Sequence, residues 1–264
     1  MTDPDLVLQV RDLTVNLAAG DAAPIVSAAS FAINRGRIFA LVGGSGSGKT
    51  TLAYAVLSLL QPGLVRASGK IVFGYPGRDL CSCSAEELRL WRGREVGMVF
   101  QEPLHAFNPL FTIGDQITEV LKHHTDLSPR QRGQRILEVL QLTGLTQPSR
   151  AARQFPHQLS GGMRQRAMIA LAIACQPRLL IADEPTSSLD VTVQARLMEL
   201  FRKLNQEMGL AIFLISHDLG MVGRLADDMA VMRQGRIVEQ GAVKNIMAKP
   251  AHTYTRQLLE AALI

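Results

Sequence analysis

Aromatic residues, cysteines and long apolar runs are all scarce in this sequence of 264 residues. Aromatics make up 5% of the chain and apolar residues 47%, which predicts an aliphatic core of the kind found in a parallel sheet covered by helices. No run approaches the roughly 18 apolar residues of a membrane span. The N-terminal stretch contains acidic residues and no long apolar region, so we do not expect a signal peptide.

The three cysteines, Cys81, Cys83 and Cys175, are too few for a disulfide framework. Cys81 and Cys83 have no histidine pair nearby, which favours ordinary loop residues over a metal site. The net charge of +5 is compatible with a nucleotide, a nucleic acid or an anionic membrane surface. Because the basic residues are spread out, with no basic tail and no interleaved aromatics, a nucleic-acid partner is not expected.

A glycine-rich loop lies between a run that predicts a strand and a run that predicts a helix. It fits the phosphate-binding pattern G-x-x-x-x-G-K-[ST] and consists of Gly43, Gly44, Ser45, Gly46, Ser47, Gly48, Lys49, Thr50 and Thr51. Its glycines and the helix N-terminus turn backbone N–H groups towards phosphate oxygens. We expect Lys49 to contact the β- and γ-phosphates and the Thr50 hydroxyl to bind Mg²⁺. A flexible Gly/Ser loop is the alternative.

Polar residues follow three further apolar runs that predict buried strands. Gln101 ends one, Asp183 and Glu184 end the next, and His217 follows the last. Ligand groups collect at the carboxyl ends of strands in α/β sheets. Asp183 is therefore predicted to hold the metal shell, and Glu184 to orient and deprotonate an attacking water. The alternative is a capping role for this carboxylate pair before Pro185.

Ser160, Gly161 and Gly162 begin a predicted helix and form a second candidate anion site. A serine N-cap followed by flexible glycines is the alternative. Ser188, Leu189 and Asp190 lead into another helix. Further helices are predicted over residues 113–124 and 129–142, a loop over 102–112 and a hairpin around 234–235. The neighbouring His123 and His124 point in different directions on a helix, which favours solvated side chains over a metal site.

With these residues in place, the chain resembles the ATP-binding-cassette ATPases over nearly its whole length. The phosphate loop, Gln101, the LSGGMRQR stretch at 159–166, Asp183 with Glu184, the stretch 188–190 and His217 occur in that family's order. The resemblance implies an α/β P-loop NTPase (RecA-like) core with an antiparallel β subdomain and a helical signature subdomain. We expect the core over 1–100 and 176–249, the helical subdomain over about 101–175, and a helical tail over 250–264.

The resemblance also implies an ATPase that uses ATP and Mg²⁺. Lys49 and Asp183 would act in their own chain, whereas Ser160 and Gly162 would bind the γ-phosphate held by a facing ATPase. Gly161 is also expected among the nucleotide-binding residues. Glu184 would be the general base, with Gln101 and His217 as γ-phosphate sensors. The expected metal residues are Thr50, Gln101 and Asp183, and Asp190 is expected in the nucleotide site.

The implied partners are a second homologous ATPase, a paralogue in preference to a second copy, and two membrane permeases. A substrate-binding protein takes part indirectly, and no nucleic acid is expected. The implied location is the cytoplasmic face of the bacterial inner membrane, with the chain bound as a peripheral protein. The family's adenine-stacking aromatic has no match before Phe31, which leaves Leu17 or Ile25 as the apolar contact.

Three stretches look like the peptide and nickel importer branch of the family: 101–110, 155–158 and 252–256. The local sequences at 40–45 and 225–241 look most like those of the D-subunit ATPase of nickel importers. We therefore expect an importer ATPase for nickel or a nickel complex. The alternatives are a dipeptide or oligopeptide importer and a soluble ABC ATPase without a transport role.

Overall fold

The computed structural model describes residues 4–18, 23–74, 77–187 and 190–262. The chain divides into two compact units, Met1–Leu88 with Gly209–Ile264 and Arg89–Met208. The finer partition expected from the family resemblance remains a prediction.

Ten strands and eleven helices are found in the described part of the chain. The strands are β1 (Leu6–Leu17), β2 (Val26–Asn34), β3 (Ile38–Val42), β4 (Leu64–Phe73), β5 (Arg78–Asp79), β6 (Val96–Val99), β7 (Leu179–Asp183), β8 (Ala211–Ser216), β9 (Asp228–Arg233) and β10 (Arg236–Ala242). The helices are α1 (Lys49–Val56), α2 (Ala85–Arg94), α3 (Pro103–Ala106), α4 (Ile113–His124), α5 (Pro129–Leu142), α6 (Pro148–Arg153), α7 (Gly161–Ile173), α8 (Val191–Met208), α9 (Leu219–Leu225), α10 (Val243–Ala248) and α11 (Thr253–Ala262). None of these helices combines the length and the apolar character needed to cross a membrane.

The first unit contains an antiparallel sheet with the strand order β2-β1-β4-β5. The polar pair Arg11-Asp12 interrupts the alternation of Leu6 to Leu17 and so predicts a break in this strand. The structure confirms it, because the register of β1 shifts between Val10 and Leu13 and Asp12 has φ 48°. The sequence from Gly69 to Gly74 predicts a further strand, and this prediction is wrong at its start, since β4 begins at Leu64. The early residues of β4 are mostly exposed, so this part of the strand has no buried apolar face to signal it in the sequence.

The first unit also contains the strands that lead to the phosphate loop. β3 pairs in parallel with both β8 and β9, and β9 forms an antiparallel hairpin with β10, as predicted. All residues of β3 and β8 are buried, as in a parallel sheet covered on both faces. Three aromatic side chains pack together here, where the ring centroids of Phe31, Phe39 and Phe213 lie 5.1 to 6.0 Å apart.

The second unit contains the parallel pair β6 and β7 and most of the helices. The predicted bounds of α4 and α5 are confirmed, because capping boxes at Thr112 and Ser128 begin both helices. The loop predicted over residues 102–112 is wrong in part, since α3 forms a single helical turn there. Pro103 opens this turn at a position that tolerates proline, so the proline was a poor sign of a loop.

Candidate active site

The predicted phosphate loop connects β3 to α1 and is shaped by two glycines. Gly48 caps α1 with φ 101°, and a Cβ atom there would lie 2.7 Å from the carbonyl oxygen of Ile25. A Cβ atom at Gly43 would overlap the carbonyl oxygen of Met232. Only glycine fits at these two positions, so the loop can close tightly before the helix N-terminus. Loops of this kind present backbone N–H groups to an anion.

Lys49 folds its buried side chain back over this loop. Its ammonium Nζ donates hydrogen bonds to the carbonyl oxygens of Gly43 and Gly44, both at 2.9 Å. The Ser47 hydroxyl oxygen lies 3.5 Å from Nζ. A positive charge is therefore already held at the mouth of the loop, and this arrangement fits a polyphosphate such as that of ATP.

His217 lies at the sheet edge from which the phosphate loop leaves. β3 and β8 run in parallel with Val42 paired to Ser216, so both strands end at the same edge. The turn after β8 is fixed because the Asp218 amide donates to Ser216 Oγ at 2.9 Å, and Asp218 Oδ1 accepts from the Met221 amide at 2.9 Å. The exposed His217 is thereby presented beside the loop end of β3.

The second unit brings Gln101, Asp183 and Glu184 to one sheet edge. Val99 of β6 pairs with Ala182 of β7, so the residues that follow both strands are neighbours. Gln101 Nε2 donates to Glu184 Oε2 at 3.3 Å. Asp183 ends β7 and is only 3% exposed. A buried carboxylate requires a cation or hydrogen-bond donors, and its oxygens suit a hard cation such as Mg²⁺.

Glu184 has a backbone conformation that is unusual for a residue other than glycine. Its φ is 43°, which costs about 1–3 kcal/mol and persists only where the surroundings enforce it. Two glutamine side chains hold the turn that follows. Gln165 of α7 donates through Nε2 to the Pro185 carbonyl oxygen at 2.9 Å, and Gln194 of α8 donates to the Thr186 carbonyl oxygen at 3.2 Å. Strain of this kind occurs at functional sites more often than elsewhere.

The predicted second anion site is found at the start of α7. Ser160 is its N-cap, and its Oγ accepts a hydrogen bond from the Met163 amide at 3.3 Å. A Cβ atom at Gly161 would meet nothing within 4 Å, and one at Gly162 would lie 3.5 Å from Val193 Cγ1. Packing within this unit therefore does not require either glycine. The open surface would let a ligand approach the backbone closely.

A groove of about 880 Å³ borders this surface within the second unit. Three arginines contribute to its lining, which favours an anionic occupant. The Asp190 carboxylate also lines the groove and accepts a hydrogen bond from the Val193 amide at 3.0 Å. The groove thus brings Asp190 together with the signature residues. Its polar lining includes Arg150, Arg166, Arg196, Ser160, Gly161, Gly162 and Asp190.

The other residues considered for metal binding form no metal site in the part of the chain that is described. No group of three or more His, Cys, Asp or Glu side chains that could hold a metal ion occurs there. His123 Nε2 lies 2.8 Å from Glu119 Oε1, and burial lowers the pKa of His124. Ser188 and Leu189, which were predicted to lead into α8, lie outside the described residues.

The sequence motifs predicted no individual role for two residues that contact parts of the candidate site. Gln165 holds the turn after Glu184, and the Tyr254 hydroxyl oxygen accepts a hydrogen bond from the Gly44 amide at 3.0 Å. Each lies in a stretch that carried a family resemblance, 159–166 and 252–256 respectively. Membership of these stretches was the only available signal, since neither stretch indicates what its side chain contacts.

Comparison with known protein families identifies the family to which this chain belongs. Residues 26–187, more than half of the chain, match the family described as ABC transporter. The chain belongs to the ABC transporter family. It has the ABC ATPase fold and is an ATP-binding protein and an ATPase. This confirms the predicted fold class and enzyme class.

Curated members of the ABC transporter family match almost the whole chain. It is 45% identical over 98% of its length to the peptidoglycan transport ATP-binding protein YejF of Agrobacterium fabrum, and it spans 48% of that protein. It is 42% identical over 96% of its length to the dipeptide transport ATP-binding protein DppD of Bacillus subtilis. It is 43% identical over 96% of its length to the oligopeptide transport ATP-binding protein OppD of the same species. The chain spans 76% and 71% of the two Bacillus proteins.

Solved ABC cassettes have the same fold. The dimeric post-hydrolysis state of the cassette MJ0796, bound to ADP and Pi, superposes with a TM-score of 0.78 at 26% identity, covering 89% of this chain and 98% of that one. CbiO1 of Clostridium perfringens, part of the ABC transporter complex cbiONQ, gives a TM-score of 0.79 at 28% identity, covering 93% and 92%.

Proposed function

We propose that this ABC ATPase is the ATP-binding subunit of a bacterial importer of peptides. The observation that carries this proposal is the identity of 42–45% over 96–98% of the chain to ATPases described as serving peptidoglycan, dipeptide or oligopeptide transport. Import of dipeptides or oligopeptides was the alternative at the level of sequence. It now replaces nickel as the favoured substrate class.

The nickel prediction has no support from these relatives, whose descriptions do not mention nickel. Residues within 225–241, the stretch whose sequence suggested nickel, have structural roles in the first unit. Asp227 Oδ2 accepts a hydrogen bond from the Ile38 amide at 2.8 Å, and Asp228 pairs with Arg37 at 2.8 Å. Because these residues anchor β3, their identity carries little information about the substrate.

The proposed reaction is hydrolysis of ATP to ADP and phosphate. The phosphate loop and Lys49 would bind the β- and γ-phosphates. Glu184 would accept a proton from the water that attacks the γ-phosphorus, while the bond to the ADP oxygen breaks. Gln101 donates to the Glu184 carboxylate and would orient it, and His217 would contact the γ-phosphate beside the loop.

Mg²⁺ is the metal that the proposed site would use. Its expected ligands or shell residues are Thr50, Gln101 and Asp183, all of which offer oxygen atoms. The ion would neutralise charge that develops on the phosphate oxygens. The buried Asp183 supports this proposal, since its carboxylate can be accommodated more readily beside a cation.

A second ATPase is the proposed partner at the signature surface. Gly161 and Gly162 are not required by packing, and the groove beside them has a basic lining. An anionic ligand carried by another chain would fit both features. The similar cassette MJ0796 is described as a dimer, which supports pairing here. We propose a paralogue as the partner, with a second copy of this chain as the alternative.

Membrane permeases are the second class of proposed partner. Leu110 and Phe111 are 80% and 52% exposed, on a segment that is hydrogen-bonded to α4. Gln116 of α4 fixes this segment by accepting from the Asn108 amide at 2.9 Å and donating to the carbonyl oxygens of Asn108 and Phe111. An exposed apolar pair on a fixed loop suits docking of an apolar helix. This contact would make the chain a peripheral protein on the cytoplasmic face of the inner membrane.

The catalytic assignment is tested with Glu184→Gln. We expect the variant to bind ATP with wild-type affinity and to lose turnover by a factor of at least about 100, as removal of a general base predicts. The measurements are steady-state phosphate release and equilibrium ATP binding. Turnover within about threefold of wild type would contradict the role of Glu184. Arg256→Ala, an exposed change on α11, serves as the control that should remain active.

The substrate class is tested by uptake in the source bacterium after deletion of the gene. We expect loss of labelled dipeptide or oligopeptide uptake, restored by the wild-type gene and not by Glu184→Gln. Normal peptide uptake with loss of labelled nickel uptake would favour the original prediction. Co-purification with permeases from membranes distinguishes both from a soluble ATPase.

A further inference from the structure

We propose that Tyr254 is a positioning residue for the phosphate loop. Its hydroxyl would fix the orientation of the peptide group between Gly43 and Gly44, and through that group the position of the Lys49 ammonium. The proposal rests on the proposed ATP-binding role of this loop. It gives the C-terminal helix α11 a direct connection to the nucleotide site of the same unit.

The peptide group between Gly43 and Gly44 is held at both ends. Its N–H, from Gly44, donates to the Tyr254 hydroxyl oxygen at 3.0 Å, a contact between residues 210 positions apart in the chain. Its carbonyl, from Gly43, accepts from Lys49 Nζ at 2.9 Å. Rotation of this peptide group would break both hydrogen bonds at once. Tyr254 and Lys49 therefore stabilise the same orientation.

Tyr254 is itself held by the hairpin of β9 and β10. The guanidinium carbon of Arg233, at the end of β9, lies 4.7 Å from the centroid of the Tyr254 ring. The Glu239 carboxylate of β10 accepts from the amides of Ala251 and His252 at 2.8 and 3.0 Å. The Tyr254 amide in turn donates to His252 Nδ1 at 3.1 Å. These contacts place the phenol ring with little freedom to turn away from the loop.

The same hairpin contacts the phosphate loop at a second point. The Gly235 amide donates to the Ser47 carbonyl oxygen at 3.0 Å. The loop is thus held at two points, by the hairpin turn at Ser47 and by Tyr254 at Gly44. Preorganisation of this kind lowers the cost of binding, because fewer conformations are lost when a ligand arrives.

Tyr254→Phe isolates the hydroxyl, because phenylalanine keeps the ring and its packing. The partly buried Gly44 amide then loses its acceptor, and the peptide group can rotate away from Lys49. From the usual contribution of one hydrogen bond, we expect the Kd for ATP to rise about three- to tenfold. The kcat at saturating ATP should stay within about twofold, because the change affects the loop before ATP binds.

The decisive readout does not depend on activity. In the protein without nucleotide, hydrogen exchange of the Gly44 amide should become at least about threefold faster in Tyr254→Phe, with an unchanged melting temperature. Arg256→Ala is the matched control on α11, since the Arg256 side chain is exposed and donates a long hydrogen bond to the neighbouring Thr253 Oγ1 at 3.4 Å. Both its Gly44 exchange and its ATP affinity should match wild type.

A second variant approaches the same contact from the loop. A Cβ atom at Gly44 would lie 3.1 Å from the Tyr254 hydroxyl oxygen, so Gly44→Ala should displace this oxygen and weaken ATP binding by a similar factor. Combined with Tyr254→Phe, it should add little, because both changes remove one contact. Additive effects of the two changes would overturn the proposal.

Wild-type Gly44 exchange together with wild-type ATP affinity in Tyr254→Phe would also overturn it. This result differs from failure of the proposed function, in which the wild-type protein itself would not bind ATP. In that case the exchange measurement alone still decides whether Tyr254 holds the loop.

Discussion

Replacement of Gln165 by methionine should slow ATP hydrolysis without weakening ATP binding. Gln165 is 2% exposed, and its amide is the donor to the Pro185 carbonyl at 2.9 Å. Methionine has a similar length and cannot donate, so a buried carbonyl loses its partner at a cost of about 1–3 kcal/mol. Strain at Glu184, with φ 43°, has the same size, about 1–3 kcal/mol. The turn would therefore relax towards an unstrained backbone and move the Glu184 carboxylate.

The magnitude follows from the share of molecules that keep the active conformation. If relaxation is favoured by about 1.4 kcal/mol, that share falls about tenfold, and so does kcat. The Kd for ATP should stay within about twofold, because the hydrogen bonds between Lys49 and the phosphate loop do not involve Gln165. Steady-state phosphate release and equilibrium ATP binding measure the two quantities separately.

Gln194→Met is the matched control for this prediction. Its hydrogen bond to Thr186 is longer, at 3.2 Å, and only partly buried, so kcat should fall less than in Gln165→Met. The reasoning would be refuted if Gln165→Met hydrolysed ATP at the wild-type rate while Glu184→Gln was inactive. It would also be refuted if kcat and ATP affinity fell together in a protein with an unchanged melting temperature.

Two further predictions concern stability. The buried Arg135 donates to the carbonyl oxygens of Ala174 and Ile173, at the C-terminal end of α7, at 2.9 and 3.2 Å. Arg135→Met should therefore cost about 3 kcal/mol and lower the melting temperature by about 6–12 °C, with Arg135→Lys intermediate, and a shift below about 2 °C would be inconsistent with this role. Burial acts to raise the pKa of Glu239, but the Thr255 side chain and the amides of Ala251 and His252 outweigh this effect and lower that pKa. The stabilising effect of Glu239 is therefore present above the unfolded value of about 4.3 and is lost as the pH falls through the folded pKa. Hydrogen-exchange protection of the amides at the start of α11 should therefore decrease in wild type when the pH is lowered below about 4. In Glu239→Gln this protection should already be low at neutral pH.

Much of the local structure could be predicted because its causes lie within a few residues. The bounds of α4 and α5 were predicted correctly, since each begins with a capping box that the sequence displays. The hairpin of β9 and β10 was signalled by Gln234 and Gly235, which both have positive φ in the structure. The first half of β4 and the turn α3 were missed because exposed strands and one-turn helices leave no periodic pattern.

The substrate class could not be derived from short local sequences. Residues 225–228 suggested nickel, yet Asp227 and Asp228 bind the backbone of Ile38 and the side chain of Arg37. Such residues are selected by the scaffold to which they bind. The ATPase does not need to contact what is transported, so its sequence reports family membership more directly than cargo.

The sequence by itself determined the chemistry of this protein. A phosphate loop, a pair of carboxylates after a buried strand and a serine-glycine helix start are defined by residue types at short, fixed spacings, and these need no knowledge of the fold. Tertiary structure alone decided how these groups are held. The left-handed backbone of Glu184, its support from Gln165, and the contact of Tyr254 with a loop 210 positions away depend on hydrogen bonds between distant segments, which no local pattern encodes.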